Sequence, residues 1–240
     1  KRVFLPDAMA SCSLAESCPA DEFEKFVKEH PDHTVISYVN TTAAVKALTD
    51  IVVTSTNAKQ IVDSLPKDEK IIFGPDKNLG DYINKLTGRN MLLWQGACHV
   101  HEQFSIERIL TLKKEYPQAL LLSHPECPKY LLEISDHVGS TSSIIKYAAK
   151  SDAKQFIVAT EAGILHQMQK ENPDKMFIPA PPEDSTCACN ECFYMKMNTL
   201  EKLYLCLKNE RPEITVDEDV RLKALKPIER MLDISAKYGL

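Results

Sequence analysis

Three cysteines crowd into the stretch TCACNEC, residues 186–192, of a 240-residue chain that has eight cysteines in all. Cys187, Cys189 and Cys192 are close enough in sequence to bind one metal ion as thiolates. A structural zinc site usually takes two well-spaced cysteine pairs, and no second CxxC pair exists in this sequence. The stretch is therefore either a local zinc knuckle or one corner of a site whose other ligands lie far away.

Two distant cysteines favour the second interpretation. Cys12 and Cys98 are 86 positions apart, and each follows a short apolar run at the start of a similar stretch of sequence. An iron–sulfur cluster can draw its thiolate ligands from distant loops. Because Cys12 and Cys98 occupy equivalent positions in two similar units, pseudo-symmetry would direct both thiolates to one cluster. The third ligand would then come from TCACNEC. The alternative for any one cysteine is a small, buried structural side chain.

The same shift of 86 positions aligns other polar residues. HPDHTVISYVN at 30–40 matches YPQALLLSHPE at 116–126, and DIVVTST at 50–56 matches DHVGSTS at 136–142. The aligned pairs include Tyr38 with His124, Asn40 with Glu126, Thr54 with Ser140, and Ser55 with Thr141. A unit of this length, present twice, is too long for a solenoid repeat and suits a small domain.

Short β-branched or leucine-rich runs alternate with helical patterns in each unit, as at Thr34–Tyr38 and Ala119–His124. This alternation predicts an α/β fold, made of repeated three-layer αβα units with short parallel sheets, pseudo-symmetric around a central site. Ligands of such units bind beyond the carboxyl ends of the strands. The aligned polar residues all follow apolar runs, so both units are expected to present them at that edge.

The repeat also predicts the domain boundaries. Residues 1–88 form the first α/β unit and residues 89–181 the second. Residues 182–240 hold the cysteine loop and C-terminal helices, expected over Asn198–Lys208 and Asp217–Ile234. Asp76 and Lys77 are interpreted as a surface turn.

Composition excludes several classes of function. With 34 acidic and 29 basic residues the formal net charge is −5, which gives no broad cationic face for nucleic acid. No apolar run approaches the roughly 20 residues that span a bilayer, and no signal peptide is recognisable. The seven glycines form no GxGxxG or GxxxxGK[ST] motif, which argues against dinucleotide and P-loop folds. We expect a soluble cytoplasmic protein, with an organellar form that has lost its leader as the alternative.

Several stretches carry a specific resemblance over almost the whole chain. CSLAESCP, HPDHTVISYVNTTAAVKA, IIFGPDKNLG, WQGACHVHEQF, VGSTSSII and the closing CFYMKMNTLEKL resemble the quinolinate synthase family. The resemblance implies condensation of iminoaspartate with dihydroxyacetone phosphate to quinolinate, in the de novo route to NAD. It also implies three homologous α/β domains around a cleft with a 4Fe–4S cluster, and L-aspartate oxidase as the supplier of iminoaspartate. No nucleic acid or membrane partner is implied.

The resemblance assigns roles to residues. Cys12, Cys98 and Cys192 become the cluster ligands, which leaves one iron open to act as a Lewis acid. Glu126 is the candidate general base, and His124 and Tyr38 are further candidate catalytic residues. The expected substrate-binding residues are Tyr38, Asn40, Ser55, His101, His124, Ser140 and Thr141. Ser140 and Thr141 have a second interpretation, as caps of a helix beginning near Ser142.

One departure from the family leaves alternatives open. Family members begin with another domain that supplies a His, a Tyr and a serine to the active site, and this sequence has no counterpart of it. The chain is therefore either the iron–sulfur enzyme or an inactive or regulatory fragment of it. A zinc-stabilised binding module is a third hypothesis. Cys187 and Cys189 are interpreted as spare thiols, hypothetically a redox-sensitive pair.

Overall fold

A computed structural model describes residues 1–184 and 190–239 and contains two four-stranded sheets, each with every neighbouring pair of strands parallel. The first sheet has β1 (Thr34–Tyr38), β2 (Ile51–Val53), β3 (Ile71–Gly74) and β4 (Leu92–Leu93), in the order β2-β1-β3-β4. The second has β5 (Leu120–Ser123), β6 (His137–Val138), β7 (Gln155–Ala159) and β8 (Met176–Pro179), in the order β6-β5-β7-β8. The predicted α/β class with repeated units is confirmed.

Helices surround both sheets. They are α1 (Ser13–Glu16), α2 (Ala20–Lys28), α3 (Ala43–Lys46), α4 (Ala58–Ser64), α5 (Lys77–Thr87), α6 (His99–Glu102), α7 (Ile106–Glu115), α8 (Lys129–Glu133), α9 (Thr141–Lys150), α10 (Ile164–Glu171), α11 (Phe193–Lys196), α12 (Leu200–Asn209) and α13 (Glu218–Lys237). Central strands such as β3 are buried at every residue, which is why they are continuous apolar runs rather than alternating ones. Among the described residues, no helix is both long enough and apolar enough to cross a bilayer.

The sequence repeat recurs as a repeat of hydrogen bonds. In both units a serine on the first strand bonds a hydroxyl 12 positions further on, and an aspartate before the second strand accepts a backbone N–H from the first. These contacts are Ser37 Oγ to Thr49 Oγ1 (2.8 Å), Ser123 Oγ to Ser135 Oγ (2.7 Å), Val35 N to Asp50 Oδ2 (2.8 Å) and Leu121 N to Asp136 Oδ2 (2.7 Å). Each pair of contacts is 86 positions apart, so the two units share their polar scaffold as well as their strand order.

The C-terminal helices lie within two or three residues of the predicted bounds, and α13 packs on the first unit. Met231 joins the buried cluster that contains β1 and β2, and Asn57 Nδ2 donates to Ser235 Oγ at 3.0 Å. The apolar run Val3–Leu5, which precedes Cys12, belongs to neither sheet. Phe4 instead forms a single antiparallel bridge with Glu213, because this short run meets the segment before α13 rather than the edge of a sheet.

The repeated serine bond generates a stability prediction. Replacing Ser37 or Ser123 with alanine removes one buried hydrogen bond and leaves a partner hydroxyl that still donates to the backbone carbonyl of Val45 or Leu131. We expect each substitution to lower the free energy of unfolding by about 1 kcal/mol, by equal amounts in the two units. Denaturant titration measures it. Ser142→Ala, at an exposed position, is the control and should change little; a large difference between the two units would contradict the shared scaffold.

Candidate active site

A cavity of about 680 Å³ lies where the carboxyl ends of the strands of both sheets meet. The loops after β1, β2, β5, β6 and β7 open into it, together with α1, α6 and α11. Its lining includes Cys12, Tyr38, Asn40, Ser55, Cys98, His101, His124, Glu126, Thr141 and Cys192. The structure thus brings together all of the site residues expected from the sequence except Ser140. Their chemical roles stay predictions.

The three cysteines of the cavity occupy equivalent local positions. Cys12, Cys98 and Cys192 are the N-cap residues of α1, α6 and α11, each with extended backbone and a free thiol. Cys12 packs against the core of the first unit, Cys192 against that of the second, and Cys98 against both. Backbone N–H groups at a helix start favour a thiolate. Three separate segments therefore aim thiols at one space.

Contacts between the three short helices explain this convergence. The backbone N–H of His99 donates to Ser13 Oγ at 3.2 Å, and His99 Nδ1 lies 3.0 Å from the same oxygen, which ties α6 to α1. The Tyr194 hydroxyl donates to the Glu16 carboxylate, which ties α11 to α1. The rings of His99 and Tyr194 meet edge to face with centroids 5.9 Å apart. His99 thus holds the cysteine-bearing helices together.

Burial raises the pKa of the Cys12 thiol, and the negative charge of Cys98 raises it further, while the N–H groups of Leu14 and Ala15 oppose the change. Thiolates crowded into a half-buried space repel one another and lose hydration. A bound cationic centre removes both costs, because it neutralises the thiolates directly. The cysteine arrangement is therefore suited to a metal centre rather than to three free thiolates.

A second group of possible ligands overlaps the first. Ligand atoms of Cys98, His101 and Glu126 all lie within 4.8 Å of one another. His101 Nε2 is 3.1 Å from Thr160 Oγ1, and Nδ1 is 3.1 Å from Glu126 Oε2. The Nδ1 contact is an ion pair without good hydrogen-bond alignment, so this buried nitrogen has no aligned partner among the described residues. A buried polar atom in that state marks a place where a bound group can interact.

The pKa values of His101 and Glu126 are shifted in opposite directions. Burial by itself would lower the pKa of His101, but contacts with Cys98 and Glu126 raise it to about 10. Burial would raise the pKa of Glu126, but the His101 charge and further contacts with His124 and Tyr38 lower it to about 2. At neutral pH the pair is therefore an imidazolium and a carboxylate, both buried.

His124 stacks on His101 with ring centroids 4.9 Å apart and an angle of 26° between the planes. Burial, with the neighbouring His101 charge, lowers the pKa of His124 to about 4 despite the nearby Glu126. The backbone N–H of Glu126 donates to His124 Nδ1 at 3.3 Å, which places the ring proton on Nε2. His124 is thus a neutral hydrogen-bond donor at the cavity.

Tyr38 completes the group around Glu126. Its pKa lies well above the usual value because of burial and the Glu126 carboxylate, and the Ser55 side chain acts in the opposite direction. The phenol therefore stays protonated and faces a carboxylate and a hydroxyl. This contact links Tyr38 of the first unit to Glu126 of the second across the cavity.

Ser140 departs from the other expected site residues. Its side chain accepts a long hydrogen bond, 3.4 Å, from the backbone N–H of Ser143 at the start of α9. It lines a neighbouring cavity of about 340 Å³, while Thr141 lines the main one. Capping, the second interpretation for Ser140, is therefore what the structure shows, and any substrate contact by Ser140 stays a prediction.

Some residues of this region were missed or misjudged from the sequence. Thr160 and Glu161 line the cavity directly after β7, a position that the rule on strand ends would have found. The surface turn expected at Asp76 is wrong: the Asp76 side chain is fully buried and caps α5. Burial, aided by the Glu126 charge, raises its pKa to about 7, against the N–H groups of Leu79 and Cys98. Cys187 and Cys189 lie outside the described residues.

Comparisons with known proteins match almost the whole chain. The profile of the family described as "NadA: Quinolinate synthetase A protein" matches residues 1–233. Curated proteins named quinolinate synthase from Chloroherpeton thalassium and Synechocystis sp. are each 57% identical over 235 residues, and the one from Thermosynechococcus vestitus is 56% identical over 235 residues. These alignments cover 98% of this chain and 73% to 74% of the relatives. The chain thus spans about three quarters of their length.

Proposed function

Because the chain belongs to the quinolinate synthase family, we propose that it takes part in the condensation of iminoaspartate with dihydroxyacetone phosphate to quinolinate, on the route to NAD. The observation that carries the proposal is the convergence of Cys12, Cys98 and Cys192 on one cavity that also holds Glu126 and two histidines. The reaction joins two small anions and eliminates inorganic phosphate and water. It needs polar groups for carboxylates and phosphate, proton transfer, and a Lewis acid.

The donor set fits a 4Fe–4S cluster. Three free thiols from three separate segments suit a soft iron–sulfur centre. Beside them, the buried Nδ1 of His101 has no aligned hydrogen-bond partner among the described residues. We propose Cys12, Cys98 and Cys192 as its ligands. When bound, such a cluster supplies one iron without a protein ligand, which can polarise a carboxylate, amine or hydroxyl.

The remaining residues have distinct proposed roles. Glu126, an anion at neutral pH, is the proposed general base, and the adjacent His101 stabilises its charge. His124 donates a hydrogen bond from Nε2, and Tyr38 donates from its hydroxyl. Asn40, Ser55 and Thr141 are proposed to bind carboxylate and phosphate groups at the cavity rim. Thr141 begins the ten-residue helix α9, whose N-terminus favours an anion.

Iminoaspartate hydrolyses readily in water, so it has to be produced close to its point of use. We therefore propose an L-aspartate oxidase reaction as its source. The wall of the cavity is largely buried, at Tyr38, His101, His124 and Glu126. That burial would protect the imine from water once it is bound.

The alternative named above, an inactive or regulatory form of the enzyme, stays a prediction. Conversion of iminoaspartate and dihydroxyacetone phosphate to quinolinate by the 240-residue chain at full iron content would rule it out.

The ligand assignment predicts the metal content of cysteine variants. Substituting Cys12, Cys98 or Cys192 with alanine should lower iron and acid-labile sulfide from about four of each per chain to a small fraction, because two thiolates hold the cluster poorly. Anaerobic purification followed by iron and sulfide analysis measures it. Cys127→Ala is the matched control, since Cys127 is fully buried beside the site without lining the cavity. Stoichiometric zinc without sulfide in the unsubstituted protein would contradict the cluster and favour the Cys98, His101 and Glu126 group as a zinc site.

The base assignment predicts a kinetic effect. Glu126→Gln preserves the shape of the side chain but removes the proton acceptor, so kcat should fall by about 10²- to 10⁴-fold while iron content is retained. Steady-state formation of quinolinate by the complete protein measures it. Glu133→Gln, an exposed position on α8, should leave kcat unchanged. A normal kcat for Glu126→Gln with a full complement of iron would remove Glu126 from the chemistry.

A further inference from the structure

A buried aspartate and the residue that follows it hold the loop of Cys98 at two points. Asp76 lies two residues after the end of β3, and its Oδ2 accepts the backbone N–H of Cys98 at 3.2 Å. The N–H of the next residue, Lys77, donates to the carbonyl of Gly96, two residues before the cysteine, at 2.9 Å. The other oxygen, Oδ1, accepts the N–H of Leu79 at 2.7 Å. The segment after β3 is thereby fastened to the loop that carries Cys98.

The second unit repeats this arrangement with a glutamate. Glu161 lies two residues after the end of β7, and its Oε1 accepts the backbone N–H of Cys192 at 3.3 Å. The N–H of the next residue, Ala162, donates to the carbonyl of Asn190, again two residues before the cysteine, at 2.8 Å. The other oxygen, Oε2, accepts the N–H of Gly163 at 2.7 Å. Each carboxylate therefore uses both of its oxygens.

The recurrence is informative because the cysteine loops differ. Asp76 and Glu161 are 85 positions apart, close to the repeat, whereas Cys98 and Cys192 are 94 positions apart, so the second loop is longer. The contact is nevertheless made to the same atoms: the amide of the cysteine and the carbonyl two residues earlier. We call this pair of contacts, made by Asp76 with Lys77 and by Glu161 with Ala162, the carboxylate clamp.

Glycines next to each clamp allow the close approach. A Cβ added at Gly96 would lie 2.6 Å from the backbone carbonyl oxygen of Pro75, and one added at Gly163 would lie 2.7 Å from Glu161 Oε2. A larger residue at Gly96 would push the Cys98 loop away from Asp76, because the clashing atom is backbone. The local sequence on both sides of the contact is thus compatible with the clamp.

We propose that Asp76 and Glu161 are positioning residues for the cluster ligands: they fix the backbone of Cys98 and Cys192 so that both sulfurs face the cavity. The inference rests on the proposed function, in which these two thiolates bind a 4Fe–4S cluster. A cysteine held at its own amide and at the carbonyl two residues earlier has little backbone freedom left to lose on ligation. The clamp therefore lowers the conformational entropy that the cysteine loop loses on binding the cluster, and it slows release of the metal centre.

The chemistry of the carboxylate defines the diagnostic substitution. Asp76→Asn and Glu161→Gln keep the size of each side chain but replace one of two acceptor oxygens with an NH₂ donor. Each carboxylate accepts hydrogen bonds from two backbone N–H groups. After the substitution, one of these N–H groups faces the new NH₂ donor, and its hydrogen bond is lost. The cysteine loop is loosened without any change at a sulfur.

The test measures iron release from the complete protein, loaded and purified without oxygen. First-order loss of iron to a chelator should be about ten-fold faster in Asp76→Asn and in Glu161→Gln than in the unsubstituted protein. The Fe–S stretching bands in resonance Raman spectra should shift or broaden. The controls are Asp50→Asn and Asp136→Asn, the same chemical change at carboxylates that accept backbone N–H bonds at the opposite edge of the sheets. Iron release from both controls should match the unsubstituted protein.

Thermal unfolding of all four apo variants separates positioning from general destabilisation. Unchanged iron release in Asp76→Asn and Glu161→Gln would overturn the proposal, as would rates in all four variants that simply follow the loss of unfolding temperature. If buried Asp76→Asn fails to fold, the half-buried Glu161→Gln decides the question with Asp136→Asn as its control. Unsubstituted protein without iron and sulfide would overturn both this inference and the proposed cluster, whereas normal iron with unaffected clamp variants overturns the clamp alone.

Discussion

Parallel pairing is the constraint on which the site depends. In a parallel sheet the carboxyl ends of all strands lie along one edge, so every loop that follows a strand opens on the same side. Two such sheets with the same strand order present two such edges to one cavity. Residues as distant in sequence as Tyr38 and Glu126 become neighbours for this reason. The helix-borne cysteines add the third wall, because Ser13, His99 and Tyr194 tie their helices together.

The cavity can keep charges buried only because they are balanced within a few ångströms. Glu126 is an anion beside the His101 cation. The stacked His124 stays neutral because burial, together with repulsion from the His101 charge, lowers its pKa. Asp76, a further buried carboxylate, is held by backbone N–H groups rather than by a cation. Such groups are costly unless paired, so their retention here is consistent with a chemical use for the site.

Periodicity predicted the fold class and much of the cavity lining, whereas Cys192 and His101 were assigned by the family resemblance. The shift of 86 positions placed Tyr38 with His124 and Asn40 with Glu126, and strand ends placed all four at one edge. Asp76 was misjudged because a proline and an aspartate after a strand are typical of an exposed turn, and only the packing of the Cys98 loop over them buries the carboxylate. The contact between His99 and Ser13 joins two helices from different parts of the chain. No local sequence pattern indicates such a contact, so it could not be predicted. Domain boundaries near residues 88 and 181 stay predictions.

The two units contribute different kinds of side chain to the cavity at equivalent positions of the repeat. Equivalent positions carry Tyr38 and Asn40 in the first unit but His124 and Glu126 in the second. The shared scaffold places both pairs at the same edge of their sheets, although Asn40 is exposed whereas Glu126 is buried. The first unit offers neutral hydrogen-bonding groups, and the second offers groups able to exchange protons. A glutamate at both position 40 and position 126 would put two carboxylates into one cavity, and at short range each would raise the pKa of the other. Divergence of the two units avoids that repulsion at this pair of positions and leaves the Glu126 carboxylate facing a phenol that can donate to it.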